Sequence, residues 1–210
     1  MTSTIPNLSA EERNQEQCYH LGPGQDVTRR TVVQRDDDVL SPTQVQEHWK
    51  QVQQSLAKLL SQNHYHQTKE WQYKNIAPRI IVEKLLQTKE GSIPNDYKLH
   101  CFNGKLAFTQ VDIDRFTDHK RNLYNPDWSF LDCQWKYPNG HPVDKPEKYA
   151  EMKSLAERLA ANFPYVRVDL YILGEQIFFG ELTFHPLSGF GRFYPIDWDL
   201  RFGEALDIGT

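Results

Sequence analysis

The segment "RVDLYILGEQIFFGELTFHPLSG", residues 167–189, reads as a β-hairpin in which each strand carries one carboxylate, Asp169 and Glu181. Side chains alternate between the two faces of a strand, so two residues share a face only when the pairing register agrees. A three-residue turn over 174–176 places Asp169 opposite Glu181 and leaves the other face apolar. A two-residue turn puts the two carboxylates on opposite faces. The pattern therefore predicts an odd-length turn and a single polar face.

The predicted polar face carries an arginine, two carboxylates and a hydroxyl, with Arg167 opposite Thr183 and Asp169 opposite Glu181. Like charges directly opposite each other destabilise a sheet by roughly 0.2–1 kcal/mol, so a positive group is expected between them. Arg167 on a solvated face is one candidate. A hard divalent cation, Mg²⁺ or Mn²⁺, is the other, because clustered carboxylate and hydroxyl oxygens suit it. In the metal interpretation, Asp169→Asn relieves a repulsion in the ligand-free protein; in the arginine interpretation, it removes an ion pair.

The composition limits the classes of function. The chain has 210 residues, of which 39% are hydrophobic and 12% aromatic, enough for one sizeable core. Its net charge of −4 gives no electrostatic reason to bind nucleic acid or anionic membranes. The polar N-terminal region, with no long apolar run after it, predicts neither a signal peptide nor a membrane span. The three cysteines lack metal-ligand spacing, which suits reduced thiols in the cytoplasm.

Apolar spacing elsewhere predicts two amphipathic helices. One covers 42–61, after the Ser41-Pro42 start signal, and the other covers 144–161, with Asp144 and Glu147 as a capping pair. Residues 1–40 are predicted to form a poorly ordered or divergent N-terminal segment, and 41–210 the folded domain.

A second hairpin is predicted over 98–110, because Asn103-Gly104 between alternating runs favours a two-residue type I′ turn. Leu99, Cys101, Leu106 and Phe108 are then expected on one face. The run 79–86 predicts a buried strand, and 112–143 a long functional loop. The pattern as a whole predicts an α+β fold whose antiparallel sheet holds both hairpins, with the helices against it and the main pocket between the hairpins.

Four longer stretches make the chain similar to a known family. They are "EWQYKNIAPRIIVEKLL" (70–86), "DYKLHCFNGKLAFTQVDIDRFTDHKRNLY" (96–124), "FPYVRVDLY" (163–171) and "GELTFHPLSGF" (180–190). They resemble the TupA-like ATP-grasp family, which is linked to teichuronopeptide and other surface polysaccharide synthesis. The resemblance extends over about residues 65 to 203.

The resemblance implies an ATP-grasp-type antiparallel sheet with flanking helices, and ATP with Mg²⁺ or Mn²⁺ as cofactors. It implies a carboxylate ligase that works through an acyl-phosphate. Asp169 and Glu181 would bridge the metal to the ATP phosphates, with Thr183 where most ATP-grasp proteins have an asparagine ligand, and Arg167 would face the transferred phosphate. The other implied positions are the adenine hinge Glu83, Lys84 and Leu85, the ribose acceptor Asp96, and the phosphate-directed Lys120 or Arg121.

The chain departs from the family pattern upstream of residue 41. A lysine-bearing strand, a glycine-rich loop and a lobe for the acceptor are expected there, but residues 18–30 offer only "CYHLGPGQDVTRR". A partner protein that supplies the missing lobe, and a sugar-acid or amino-acid acceptor, are therefore part of the hypothesis. A nucleotide-binding or interaction module without turnover is the alternative function. A two-carboxylate hydrolase is a weaker one, since it explains neither Arg167 nor the hinge.

Overall fold

The computed structural model describes residues 42–63, 65–66, 69–81, 86–89, 91–114 and 118–209. The chain divides into two compact units, residues 1–85 and 86–210. In the first unit, helix α1 spans Pro42–Leu60, which confirms the helix predicted over 42–61. A 3₁₀ turn follows at Trp71–Tyr73. The predicted segment 1–40 lies outside the described residues, and the boundary at residue 41 stays a prediction.

The strand predicted over 79–86 is not found. Residues 79–81 and 86–88 are not in a strand, Ile80 and Ile81 are exposed, and 82–85 lie outside the described residues. A short apolar run does not identify a strand by itself, because it lacks the alternation that marks a half-buried one.

The second unit contains a six-stranded antiparallel sheet in the order β4-β3-β2-β1-β6-β7, and a two-stranded sheet that pairs β5 with β8. The strands are β1 (Asp96–Phe102), β2 (Lys105–Ile113), β3 (Lys120–Tyr124), β4 (Phe130–Leu131), β5 (Gln134–Trp135), β6 (Tyr165–Leu173), β7 (Gln176–Thr183) and β8 (Phe193–Tyr194). Helix α2 spans Tyr149–Ala160, a 3₁₀ turn spans Pro186–Gly189, and helix α3 spans Asp197–Ala205. The predicted α+β class with an antiparallel sheet is confirmed. The segment 112–143, predicted as a loop, instead contributes three short strands.

The hairpin of β1 and β2 turns at Asn103-Gly104 as predicted. Both residues have positive φ, 49° and 77°, which the type I′ turn requires and which Asn and Gly adopt at low cost. The pairing shifts by one residue between His100 and Cys101, so Ala107 is an extra residue in β2. Beyond this bulge Phe108 lies opposite His100, on the face opposite to Leu106. The prediction that Phe108 shares a face with Leu99 is therefore wrong.

The hairpin of β6 and β7 has a two-residue turn, Gly174-Glu175, so the predicted odd-length turn is wrong. Gly174 has φ +57° at the first turn position, where a type II′ turn needs glycine. Asp169 nevertheless pairs with Glu181, as predicted, because the register shifts by one residue at Gly180. With an even-length turn and regular pairing, Asp169 and Glu181 would lie on opposite faces. The bulge places them on the same face. The predicted pairing of Ile172 with Phe178 is also wrong, since Ile172 pairs with Ile177.

Gly180→Ala tests the bulge. A Cβ at Gly180 would lie 2.9 Å from the Tyr171 ring and 3.1 Å from the Asp169 carbonyl oxygen. We expect the free energy of unfolding to fall by about 1–3 kcal/mol, as for other overpacked sites. Gly203→Ala, in a helix with open space around it, is the matched control, and we expect it to stabilise by roughly 0.5–1 kcal/mol. Denaturant midpoints give both values, and equal effects of the two variants would contradict the role of the bulge.

The two faces of the large sheet are covered differently. On one face, the apolar side chains of β1 and β6 pack against helix α2 through Tyr149, Met152, Ala156 and Ala160. On the other face, an aromatic cluster around Phe108 and Trp135 packs against Phe193, Trp198 and Phe202. The rest of that second face carries polar and charged side chains.

Helix α2 begins at Tyr149, five residues after the predicted start. No side-chain cap bond is present at the N-cap Lys148, so the predicted capping pair of Asp144 and Glu147 is wrong. The proline at 146 explains the late start, because the residue before a proline is disfavoured in the helical conformation. None of the described helices is both long and apolar enough to cross a membrane.

Candidate active site on the polar face of the sheet

Four neighbouring strands place their charged side chains on one face of the sheet. The pairing register brings Lys98 of β1 next to Asp169 of β6, and Asp169 next to Glu181 of β7. On the other side of β1, Asp96 lies opposite Asp112 of β2. Asp96, Lys98, Asp112 and Asp169 are all buried, and buried charges require partners.

The centre of the site is an ion-pair network around Asp169. Arg167 donates from Nε to Asp169 Oδ1 at 2.6 Å and from Nη2 to Oδ2 at 2.8 Å. Lys98 Nζ donates to the same Oδ2 at 2.7 Å and to Asp96 Oδ2 at 2.5 Å. Arg167 Nη2 also reaches Glu181 Oε1 at 3.1 Å. The two carboxylates of the hairpin are thus bridged by a guanidinium, with a lysine as a second cation.

The network fixes the charge states of its members. Burial alone would raise the pKa of Asp169, but the charges of Arg167 and Lys98 outweigh it and hold that pKa well below its usual range. Burial alone would lower the pKa of Lys98, but Asp169 and Asp96 outweigh it and the pKa is raised. Carboxylate and ammonium therefore both stay charged at neutral pH.

A second ion pair lies on β2 and β3. Arg121 donates from Nε to Asp112 Oδ1 at 2.7 Å and from Nη2 to Oδ2 at 3.2 Å. The guanidinium lies 4.9 Å from the ring centroid of Tyr137 and 5.5 Å from that of Trp135. Burial would raise the pKa of Asp112, but the charge of Arg121, together with His119 Nε2 at 3.2 Å from Oδ1, lowers it far below the usual range. Arg121 is thus a fixed positive group on the same face as Arg167.

His100 connects the aromatic cluster to this second ion pair. Gln110 donates from Nε2 to Asp112 at 3.0 Å, so its Oε1 accepts from His100 Nε2 at 3.2 Å. His100 Nδ1 then accepts from the Tyr165 hydroxyl at 2.8 Å. Burial, together with the nearby charge of Arg167, lowers the pKa of His100 well below its usual value. The imidazole is therefore neutral, with its hydrogen on Nε2.

The state of His100 can be measured by ¹⁵N NMR of histidine-labelled protein. We expect a neutral Nε2–H tautomer even at about pH 6.5, where an unperturbed imidazole is half protonated. Because the unfolded chain binds this proton and the folded chain does not, stability should decrease as the pH falls below about 6.5. The exposed His141 serves as the internal reference. A charged His100 at pH 6.5, or an Nδ1–H tautomer, would contradict the hydrogen-bond chain.

The chain was compared with models of known protein families. The model of the family described as TupA-like ATPgrasp matches residues 30–207, most of the chain. The chain belongs to the TupA-like ATP-grasp family. The resemblance predicted from the sequence is thereby confirmed, and the matched range includes every residue of the polar face.

The chain was also compared with solved structures and with curated proteins. Among solved structures, an ATP-grasp ligase, PsnB, complexed with a minimal precursor, shares 13% identity over 51% of this chain, with a TM-score of 0.28. The matched part is 36% of that structure's chain, so the TupA-like chain spans about a third of its length. No curated protein matches the chain.

Not all of the predicted site residues come together in this TupA-like chain. Arg167, Asp169, Glu181 and Thr183 share one face of the β6–β7 hairpin. Asp96 is the first residue of β1 and pairs with Lys98. Arg121 shares the polar face through Asp112. The adenine-hinge residues Glu83, Lys84 and Leu85 lie outside the described residues.

Lys120 does not reach this cluster. It precedes Arg121 on β3, so its side chain points to the other face of the sheet. There it pairs with the exposed Asp118 at 2.9 Å. Of the two basic residues named from the resemblance, Arg121 is the one that the fold places near Arg167 and Asp169.

Sequence reasoning missed Lys98, His100, Gln110 and Asp112. A signal for them was present, since Asp96, Lys98 and His100 alternate with the apolar Tyr97, Leu99 and Cys101 along β1. That period of two predicts a polar face opposite the apolar one. Burial raises the pKa of Cys101 and of Cys133 to about 12, so neither thiol is a nucleophile at neutral pH.

The polar face of the TupA-like chain contains oxygen atoms that could be ligands for Mg²⁺. The oxygens of Asp169, Glu181 and Thr183 are of the type that Mg²⁺ prefers. However, both Asp169 oxygens already accept bonds from Arg167 or Lys98. No group of three or more His, Cys, Asp or Glu within the described ranges is placed to hold a metal ion. The side chains as arranged therefore do not form a metal site by themselves.

A cavity of about 350 Å³ lies at the end of the sheet near the start of α2. Tyr97, Ile172, Lys148 and Glu175 are among its lining residues, and Asp169 and Glu181 are not. The predicted pocket between the two hairpins is wrong, because β1 and β6 pair directly and leave no cleft there. The polar face, and not this cavity, holds the ion-pair network around Asp169 in the TupA-like chain.

Proposed function

We propose that the protein is an ATP-dependent ligase that activates a carboxylate as an acyl-phosphate and transfers it to a nucleophile. The observation that supports this most strongly is the row of buried charges on the sheet face, inside the family-matched range. Arg167, Arg121 and Lys98 place three cations on this face, each paired with carboxylates. Four carboxylates, Asp96, Asp112, Asp169 and Glu181, accompany these cations, so the face offsets the charge of a triphosphate where an ion pair opens toward it or where a divalent cation enters with the phosphates.

The proposed reaction has two steps. An oxygen of the substrate carboxylate attacks the γ-phosphorus, the bond from that phosphorus to the β–γ bridging oxygen breaks, and ADP leaves with the bond electrons. An amine or another nucleophile then attacks the acyl carbon, inorganic phosphate leaves, and the nucleophile loses a proton. Little covalent chemistry falls to the protein in phosphoryl transfer, so positioning and charge stabilisation carry the catalysis.

Within this proposal, Arg167 faces the transferred phosphoryl group, and Arg121 contacts the phosphates. Asp96 accepts from the ribose hydroxyls, and the adenine hinge at Glu83, Lys84 and Leu85 stays a prediction from the resemblance, since these residues lie outside the described part of the chain. Asp169, Glu181 and Thr183 would hold Mg²⁺ or Mn²⁺ only together with the phosphates of the nucleotide, and the metal would supply positive charge against those phosphates. The reduced thiols Cys101 and Cys133 and the need for ATP favour the cytoplasm as the compartment.

The acceptor is proposed to be a sugar acid or an amino acid used in cell-surface polysaccharide biosynthesis, as the resemblance implies. A partner protein would supply the acceptor lobe. This part of the proposal is supported by the family membership.

The proposal is tested by ADP release from the full chain with ATP and Mg²⁺, alone and with sugar acids and amino acids in pairs. We expect ADP release that depends on one pair, together with a condensed product of matching mass. ATP binding without ADP release under any pair would favour a nucleotide-binding module instead. This alternative is favoured by the ion pairs of Asp169, because both of its carboxylate oxygens accept bonds from Arg167 or Lys98.

A further inference from the structure

Lys98 holds the position of a cation between two carboxylates. Its Nζ lies 2.5 Å from Asp96 Oδ2 and 2.7 Å from Asp169 Oδ2, and its side chain is 5% exposed. The two carboxylates come from different strands, β1 and β6, and Lys98 is the direct register partner of Asp169. A buried point charge between carboxylate oxygens is the arrangement in which a protein would otherwise hold a divalent cation.

The ammonium and a metal ion compete for the same oxygen. A ligand oxygen lies about 2.0–2.1 Å from Mg²⁺, and its lone pair is then directed at the metal. Asp169 Oδ2 already accepts from Lys98 Nζ and from Arg167 Nη2 at 2.8 Å. A divalent cation therefore reaches Asp169 Oδ2 only when at least one of these donors moves away.

Lys98 is the donor suited to move. Arg167 comes from the same strand as Asp169 and grips both of its oxygens as a planar fork. Lys98 makes one bond to each carboxylate through an ammonium on a flexible four-carbon stem. Loss of the lysine bond leaves the arginine fork on Asp169 intact.

We propose that Lys98 is a resident counter-ion that excludes divalent cations from Asp96 and Asp169 until it is drawn away. The protein alone then has no Mg²⁺ or Mn²⁺ site on this face, and replacing Lys98 with a neutral residue creates one. The inference rests on the proposed function in one respect: the proposed function gives the reason why a divalent metal ion would bind at this face. Its test contains no nucleotide, so its failure and that of the proposed function are separate results.

The experiment uses Mn²⁺ as the probe. Free Mn²⁺ is measured by electron paramagnetic resonance in titrations of the full chain, and the melting temperature is recorded with and without Mn²⁺. The variants are Lys98→Met, Lys98→Gln, and the double variant Lys98→Met with Asp169→Asn, which lacks both the cation and the carboxylate that the metal would use.

For the wild type we expect no site with a dissociation constant below about 1 mM, the weak limit of protein calcium sites. Lys98→Met should melt at a lower temperature than the wild type, and Mn²⁺ should restore its melting temperature. Lys98→Met should also bind Mn²⁺ at least about tenfold more tightly than the wild type does, which is the scale of effects from groups around a metal ligand. The double variant should show no response to Mn²⁺. Lys98→Gln, whose amide still donates to a carboxylate, should gain Mn²⁺ binding in the same direction.

A tight Mn²⁺ site in the wild type would overturn the proposal, since the lysine would then exclude nothing. Neutral variants that fold but neither bind Mn²⁺ nor regain stability with it would do the same. If both neutral variants fail to fold even with Mn²⁺ present, the proposal is also overturned, because it requires the metal to replace the lost charge. Equal Mn²⁺ responses of Lys98→Met and the double variant would place the new site away from Asp169, against the proposal.

Discussion

Asp169→Asn is expected to lower the free energy of unfolding of the ligand-free protein by roughly 3–5 kcal/mol, the usual cost of removing one partner of a buried ion pair. Asp169 is buried and accepts bonds from Arg167 and Lys98. Without the carboxylate charge, two buried cations lose their main partner. The asparagine amide replaces only part of the hydrogen bonding and none of the charge.

Denaturant unfolding of wild type and variant at neutral pH measures this cost, provided that the m-value is unchanged. Asp118→Asn is the matched control, because Asp118 is 82% exposed and its pair with Lys120 lies at the surface. We expect a change within about 0.5 kcal/mol there. If Asp169→Asn were as stable as the wild type or more so, the two carboxylates would be repelling each other and the ion-pair account would be wrong.

Arg167→Met is expected to reduce the rate of ATP-dependent product formation by about 10²–10³-fold, the scale seen when one charge-stabilising donor is removed from an active site. Arg167 bridges Asp169 and Glu181 and is itself buried. In the proposed reaction it offsets charge on the phosphoryl group during transfer. Arg167→Lys keeps the charge but loses the planar fork, so we expect it to recover only part of the rate.

The control for Arg167 is Arg158→Met, an identical change at an exposed position on α2. It should leave the turnover rate unchanged. Because Arg167→Met also removes a buried ion pair, rates are compared at a temperature where circular dichroism shows all variants folded. Equal rates for Arg167→Met and wild type under those conditions would remove Arg167 from the proposed mechanism.

Local sequence chemistry predicted the Asn103-Gly104 turn and the presence of helices α1 and α2, but not the two-residue turn at Gly174-Glu175. Asn103-Gly104 determines a type I′ turn through its own backbone preferences, so no other part of the chain was needed to predict it. The bulges at Ala107 and Gly180 depend on the partner strand as well as on the residue that bulges. A glycine inside a strand pattern does indicate a bulge, and Gly180 carried that signal.

From residue patterns alone, the candidate site was predictable only along its own hairpin, and Asp96 and Arg121 were named only through the family resemblance. Arg167, Asp169, Glu181 and Thr183 follow from the alternation of one short segment. Lys98 lies 71 residues before Asp169 in the sequence, and only the pairing of β1 with β6 brings them together. The hairpin sequence alone therefore allowed the interpretation that the two carboxylates repel each other and bind a metal ion. The long-range register supplies a second cation and favours the ion pair.

The response of thermal stability to ATP with Mg²⁺ tests the central claim, a nucleotide site on the polar face, most directly. At about 100 times its dissociation constant a ligand stabilises the folded state by roughly 2.7 kcal/mol, a shift in melting temperature of several degrees. We expect this shift for the wild type, a much smaller one for Asp169→Asn, and the wild-type shift for Asp118→Asn. A wild-type melting temperature that does not respond to ATP with Mg²⁺ across the millimolar range would contradict the account.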